Sequence, residues 1–263
     1  MAGCLAAAGG KMNIIGRGRL GTAFERRMAA RGISGEAFGR DDDLLALVES
    51  SGPILVCTRN DDLDGVWASV PPSRRGDLVF VQNGMVRPWL ARHELQGAGR
   101  GLIFAAVARV GDDFRPGGES AFAGPHAAAV VEFCRAIDLP AIALDPTQFA
   151  TLELEKLVWN CAFGLLCDAL GQPVGATLND PGCDALLREL IRAGAGAFDL
   201  EPDVDAMIGR LRAYSASIAS YRGSVKEWRW RNGALIEAAR AIGMEMPSHD
   251  GWLRRLPPAV SRS

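Results

Sequence analysis

Lys156, Asn160, Gly164 and Asp168 stand four residues apart in an otherwise apolar stretch, Leu152 to Gly171, LELEKLVWNCAFGLLCDALG. Helix positions four apart drift slowly round one face, so the four form a stripe. A helix facing solvent is polar over one broad side; here there is only this thin line. Lysine is almost never buried without a partner. The stripe therefore meets water at a structural seam, or it faces a cavity where a cation is needed. Apolar surroundings lower an ammonium's pKa toward neutral, and such a lysine can give up a proton. The simpler alternative for Lys156 is a structural salt bridge with Glu227 or Glu153.

The elements before the stripe suggest what the cation would serve. Lys11 to Gly16 reads as a short buried strand and runs into Gly16-Arg17-Gly18-Arg19-Leu20-Gly21, followed by a helix from Thr22 to Arg31 with Gly32 as its C-cap. G-x-G-x-x-G between a strand and a helix is the context in which the motif is informative. Gly16 permits the turn, Gly18 lets a pyrophosphate approach, and Gly21 lets helix and strand pack closely. A second strand is expected at Glu36 to Phe38. After it stands Arg40, about 20 residues past the glycine loop, where an arginine suits the 2′-phosphate of NADP. The alternative for Arg40 is a surface pairing with Asp41, Asp42 and Asp43.

Pro53 to Arg59 and Asp77 to Gln82 read as third and fourth buried strands. Each ends in polar residues, Thr58-Arg59-Asn60 and Gln82-Asn83-Gly84. Ligands of open parallel sheets bind beyond the carboxyl ends of strands, which places Arg59 and Asn83 to touch cofactor or substrate. Asn83-Gly84 also reads as a plain turn. Gly101 to Val110, Ala121 to Ala123 and Ala141 to Leu144 are further strands, with a helix over Ala127 to Ile137. Beyond Pro146 no strand signal remains. Helices are expected over Leu152 to Gly171, Pro181 to Ala195, Val204 to Ala213, Val225 to Ile242 and Ser248 to Leu256. The fold class is thus α/β: a Rossmann-type doubly wound sheet over residues 12–146, then an all-helical substrate or dimerisation domain over 147–263. A cleft between two such domains is a favoured ligand site, and the stripe is expected to face it.

Composition narrows the partners. The chain has 263 residues, is 48% hydrophobic and carries a net charge of -2, which supports a sizeable core and gives no electrostatic case for nucleic acid or an acidic membrane. Six scattered cysteines show no metal-binding spacing and read as reduced thiols of a cytoplasmic protein. No apolar run approaches the roughly 18 residues of a membrane span. Residues 1–11 read as a short leader ahead of Met12, too poor in basic and apolar residues for a signal peptide. The segment Ser215 to Gly233, SASIASYRGSVKEWRWRNG, alternates tryptophan and arginine. Its tryptophans are expected in the helical core and its arginines in solvent.

Taken together these residues resemble the ketopantoate reductases, NADPH-dependent enzymes of pantothenate biosynthesis. The likeness spans nearly the whole chain. It rests on the glycine loop, on Arg59 where the family has a lysine, and on Asn83-Gly84 after the fourth strand. It rests further on Lys156 and Asn160 of a K-x-x-x-N-x-x-x-N helix, and on the spacing of Ser215, Glu227 and Asn232-Gly233. The resemblance implies a small 2-oxo acid as substrate, with Lys156 as general acid and Glu227 holding the ammonium. It implies Asn83, Asn160, Ser215 and Asn232 at the substrate, and Gly16, Gly18, Arg19, Leu20, Gly21, Arg40, Arg59, Asn83 and Glu227 at NADP(H). No metal is implied, and a homodimer is expected by analogy. The chain departs from the pattern at Gly164, where the family has an amide, at Ala216 to Ala219 and at Arg229. An empty place at Gly164 points to a larger or different substrate. Two other readings stay open: a non-catalytic NADP(H)-binding sensor, and an NADP-dependent imine or amino-acid dehydrogenase in which Arg229 grips a second carboxylate.

Overall fold

The structure, a computed structural model, describes residues 11–257. Cys4 and the expected leader up to residue 10 lie outside the described residues. The described chain divides into two compact units: one runs to Gln82 and resumes over Val86–Phe149, and the other joins Asn83–Met85 to the chain from Ala150 onward.

The first unit contains, in order, β1 (Asn13–Ile15), α1 (Arg19–Arg31), β2 (Ala37–Phe38), β3 (Ile54–Val56), α2 (Leu63–Ser69), β4 (Leu78–Phe80), α3 (Arg87–Arg92), β5 (Gly99–Leu102), β6 (Ala105–Ala106), β7 (Arg115–Pro116), β8 (Ser120–Ala123), α4 (Ala127–Ala136) and β9 (Ala141–Ala143). Seven strands form one sheet in the order β2-β1-β3-β4-β5-β8-β9. Neighbours pair in parallel except β5 with β8. The order reverses at β1, with β2 on one side and β3 on the other, which is the doubly wound arrangement the sequence implied. β1, β3 and β4 are buried at every position, and so read as continuous apolar runs rather than alternating ones. Phe24 of α1 meets Phe133 of α4 with ring centroids 5.8 Å apart, inside a core that includes Ile14, Leu55 and Phe122.

The strand expected over Gly101 to Val110 is not one element. β5 ends at Leu102, and β6 pairs instead with β7 as a separate two-stranded ribbon. The turn that folds the run back has Gly111 at φ +91°, and the Asp112 carboxylate accepts the Arg109 N–H at 3.1 Å.

The second unit's helices are α5 (Pro146–Leu170), α6 (Val174–Thr177), α7 (Cys183–Phe198), α8 (Val204–Ser217), α9 (Asn232–Ala241) and α10 (Pro247–Leu253). α5 starts earlier than its apolar pattern does. Asp145 Oδ1 accepts from the N–H groups of Thr147 and Gln148, each at 2.9 Å, and a proline is tolerated in a first turn. From Cys161 to Cys167 every α5 residue is buried, because this helix runs through the middle of the helical core. That is why its sequence lacks a broad polar side.

One long helix was expected over Val225 to Ile242, and the structure breaks it. Glu227 sits in the left-handed region at φ +48°, a single 3₁₀ turn covers Trp228–Trp230, and Arg231 takes φ -124°, ψ -102° before α9 begins. A left-handed, non-glycine residue cannot continue an α-helix. Gly233 allows the tight return, since a Cβ there would lie 2.9 Å from the Trp228 carbonyl oxygen.

Candidate active site

The glycine loop has the build of an anion cradle. Gly16 (φ +108°) passes so close to the end of β3 that a Cβ would lie 2.9 Å from the Thr58 nitrogen, and a Cβ on Gly21 would lie 1.8 Å from the Gly16 carbonyl oxygen. Both glycines are demanded by the protein's own packing. Gly18 is different: its φ of -77° suits any residue, and a Cβ there would meet nothing within 4 Å. Gly18 is also the N-cap of α1, which has neither a side-chain cap nor an acidic residue in its first turn. A thirteen-residue helix that begins this way leaves N–H groups and a partial positive charge for a phosphate. The open space over Gly18 fits a pyrophosphate. Gly18→Val is expected to melt like the wild type and to lose most NADP(H) affinity, as read by calorimetric titration; unaltered affinity would refute the cradle.

Around that loop, Arg19 is exposed and Leu20 is half-buried against the core. Arg17 pairs with Glu25 at 3.0 Å and with Asp42 at 3.5 Å. Asp42 also accepts the Gly39 N–H at 2.7 Å, just past β2. Arg40 keeps 85% of its side chain exposed, and its recorded pairing is with Asp62 at 3.9 Å rather than with Asp41, Asp42 or Asp43. Arg59 is exposed at the start of the 3₁₀ turn after β3. Asn83 is half-buried and belongs with Gly84 and Met85 to the second unit. There the Met85 N–H donates to the Trp230 carbonyl at 2.6 Å, and a Cβ on Gly84 would lie 2.5 Å from that same oxygen. Asn83-Gly84 is thus a close backbone crossing and more than a turn.

The stripe on α5 is the seat of the segment 223–231. Its lower half takes backbone: the Val225 N–H donates to Asp168 Oδ2 at 2.7 Å, and a Cβ on Gly164 would lie 2.8 Å from the Ser224 carbonyl oxygen. Reciprocally, a Cβ on Gly223 would lie 2.8 Å from the Phe163 carbonyl oxygen. The expected empty place at Gly164 is therefore filled by this chain's own backbone, and the case for a larger substrate at that position falls.

The upper half of the stripe holds Lys156 and Asn160. Lys156 is half-buried on α5. Desolvation, and secondarily the charge of Arg231, push its ammonium down to about 7. Asn160 donates Nδ2 to the Lys156 carbonyl at 2.8 Å, and its Oδ1 receives a long contact of 3.5 Å from Arg231 Nη1. Arg231 Nη2 pairs with Glu227 at 2.6 Å. The carboxylate of Glu227, expected at Lys156, engages Arg231, the residue four further on from its left-handed turn. Arg231 was also expected in solvent; its side chain is only 11% exposed. Its i,i+4 spacing from Glu227 was the available signal, hidden by the Trp/Arg alternation. Trp228 is half-buried against the helical core, Trp230 is buried, and Arg229 lies exposed over the Trp230 ring at 5.3 Å.

Two expected substrate ligands are buried and engaged within the protein. Ser215 is fully buried near the end of α8 and accepts the Trp159 indole N–H at 3.0 Å. Trp159 in turn packs against Phe163, Tyr214 and Tyr221. Asn232 is 1% exposed; its amide contacts the Cys161 carbonyl at 3.3 Å and His249 Nε2 at 3.1 Å. It ties α9 to α5 and α10 and offers nothing outward.

Among the described residues no group of histidine, cysteine, aspartate and glutamate side chains can hold a metal ion, and no helix is long and apolar enough to cross a membrane. The five described cysteines are free thiols. Burial pushes the thiols of Cys134 and Cys161 up to about 12, which removes them as nucleophiles at neutral pH.

Residues 148–256 match the family described as ketopantoate reductase PanE/ApbA, C terminal. A search of curated protein sequences gave no significant match. Among solved structures, the fold resembles a PanE/ApbA family ketopantoate reductase from Ralstonia eutropha JMP134 (TM-score 0.69, 18% identity, 92% of this chain and 95% of that one). It also resembles a dimeric ketopantoate reductase from Staphylococcus aureus (TM-score 0.66, 14% identity, 93% and 96% covered). A third is D-mandelate dehydrogenase with NADH and anilino(oxo)acetate (TM-score 0.69, 13% identity, 93% and 96% covered). The Rossmann-type sheet and the helical half are shared with these oxidoreductases, and the resemblance read from the sequence holds.

Proposed function

We propose, from the premise that residues 148–256 are a ketopantoate reductase C-terminal domain, that this protein is an NADPH-dependent reductase of a small 2-oxo acid. The observation that carries the reading is Lys156: an amine that burial pushes down to about 7, one turn from Asn160 on the central helix of that domain. Gly16, Gly18 and Gly21 with the α1 N-terminus would hold the pyrophosphate, and Arg40 the 2′-phosphate. A bound nicotinamide supplies the hydride for the keto carbon. Lys156 gives its Nζ proton to the keto oxygen as negative charge develops there, and the neutral amine regains a proton from solvent. Asn83 and Asn160 orient the oxygens. Free thiols fit a reducing cytoplasm, and the dimeric relative supports a homodimer.

The test is NADPH oxidation over a panel of 2-oxo acids, ketopantoate included. Tight NADPH binding with no turnover on any of them would sink the reading in favour of a sensor. The sensor reading has lost one support, since Gly164 is a packing residue. The amino-acid dehydrogenase reading has lost another, since Arg229 lies on Trp230 in the open. For the cofactor, Arg40→Ala should raise the KM for NADPH about tenfold or more, as the loss of a hydrogen bond to a charged group implies, and leave the KM for NADH unchanged. An equal effect on both would remove Arg40 from the 2′-phosphate.

A further inference from the structure

Arg231 is built into the site more firmly than an incidental surface arginine. The carbonyl of the preceding residue, Trp230, is pinned by the Met85 N–H at 2.6 Å. Glu227, four residues earlier, is held in a left-handed conformation at φ +48°, the kind of strain that collects at functional sites. The guanidinium has five N–H donors in a planar fork. One nitrogen meets Glu227 at 2.6 Å, another makes the 3.5 Å contact with Asn160, and Nε is buried with no hydrogen-bond partner. Glu227 itself is 36% exposed, so it is the partner that can turn away toward water. Arg231 engages the Glu227 carboxylate, and its charge also acts on the Lys156 amine.

From this geometry we propose that Arg231 binds the carboxylate of the 2-oxo acid, with Glu227 as the internal counter-ion that the substrate carboxylate displaces. The proposal rests on the reductase reading above and names how that site selects its substrate class. In a 2-oxo acid the carboxylate carbon is bonded directly to the keto carbon. A residue that holds it must sit beside the proton donor: Arg231 lies near enough for its charge to act on the Lys156 amine, and Asn160, one turn from Lys156 on α5, takes the Arg231 contact on its Oδ1. An arginine fork suits a carboxylate in two-point contact, and a partly satisfied, desolvated guanidinium gains most from it. Glu227 rehearses the contact in the free protein.

The experiment compares a good 2-oxo acid with its methyl ester, using wild type, Arg231→Gln and Glu227→Gln. Arg231→Gln should raise the KM for the acid about tenfold or more, as the loss of charge-assisted hydrogen bonds implies, and leave the ester's KM within about twofold. Glu227→Gln should lower the KM for the acid, because the competing carboxylate is gone, and spare the ester. Quenching of tryptophan fluorescence by oxamate, an unreactive 2-oxo acid analogue, should follow the same order. Equal changes for acid and ester, or none, would overturn the role of Arg231. Should Arg231→Gln not fold, an acid KM that is unchanged or raised in Glu227→Gln overturns it alone. Failure of the wild type to reduce any 2-oxo acid would instead bring down the reductase reading and this proposal with it.

Discussion

Lys156→Ala is expected to lower kcat for 2-oxo acid reduction by roughly 100- to 10,000-fold, the range for losing a positioned proton donor, while NADPH affinity should stay near wild type. The pH profile carries the same signature. The Lys156 amine, ordinarily far above neutrality, is pushed down to about 7. In the proposed mechanism reduction needs its protonated form, so kcat/KM should be level at lower pH and fall as pH rises through about 7. The reverse oxidation needs the neutral amine and should rise over the same interval. Arg231 is the second cause of the shift, so Arg231→Met should move the descending limb to higher pH. Lys156→Ala should abolish it. A profile in Lys156→Ala that keeps the wild-type limb would place the proton donor elsewhere.

Gly164→Asn, which would restore the amide of the ketopantoate reductase helix, is expected to damage the protein instead of improving it. A Cβ at 164 would lie 2.8 Å from the Ser224 carbonyl oxygen and 3.0 Å from the Ser224 carbonyl carbon. Those are backbone atoms, and the same stretch is held from the other side by the Val225–Asp168 hydrogen bond. Relief requires lifting the loop from the helix. Overpacking of this kind costs about 1–3 kcal/mol, which at roughly 2–4 °C per kcal/mol for a chain of this size lowers the melting temperature by several degrees. The KM for the acid should rise as well, since Arg231 hangs on the same segment. Differential scanning calorimetry and steady-state kinetics check both. An unchanged melting temperature in Gly164→Asn would mean that the crossing is not tight.

Those two positions also mark what the sequence could and could not convey. The glycine loop was legible because its parts are adjacent in the chain: strand, turn and helix each have a local signature. Lys156 and Asn160 were legible because one helical period sets them in line. Gly164 was visible as a departure, but its meaning depends on Ser224, sixty residues on. Nothing in a local pattern tells a glycine that leaves room from a glycine that lets backbone in. Ser215 and Asn232 were assigned from spacing within a family. The structure turns both inward, because Trp159 takes the hydroxyl and the α9–α10 junction takes the amide. Arg231 escaped because a Trp/Arg alternation looks like an amphipathic surface, and only the left-handed backbone at Glu227 swings it under cover.

The clasp of segment 223–231 on α5 has a consequence for how specificity can vary among such proteins. Two of its anchor points on the helix, Gly164 and Asn160, are one turn apart, about 6 Å at the helical rise. The loop joins them with the seven steps from Ser224 to Arg231, enough to reach roughly 23 Å if stretched. The surplus is wound into the turn at Glu227–Trp230, whose last carbonyl also receives the Met85 N–H. Length there is not a spacer but a reserve. Residues 226–230 could then be exchanged for a sequence of different shape while the Ser224–Val225 and Arg231 ends keep their places on the helix. Glu227 and the Trp230 carbonyl would travel with such an exchange, which would change the counter-ion of Arg231 and leave Lys156 where it is.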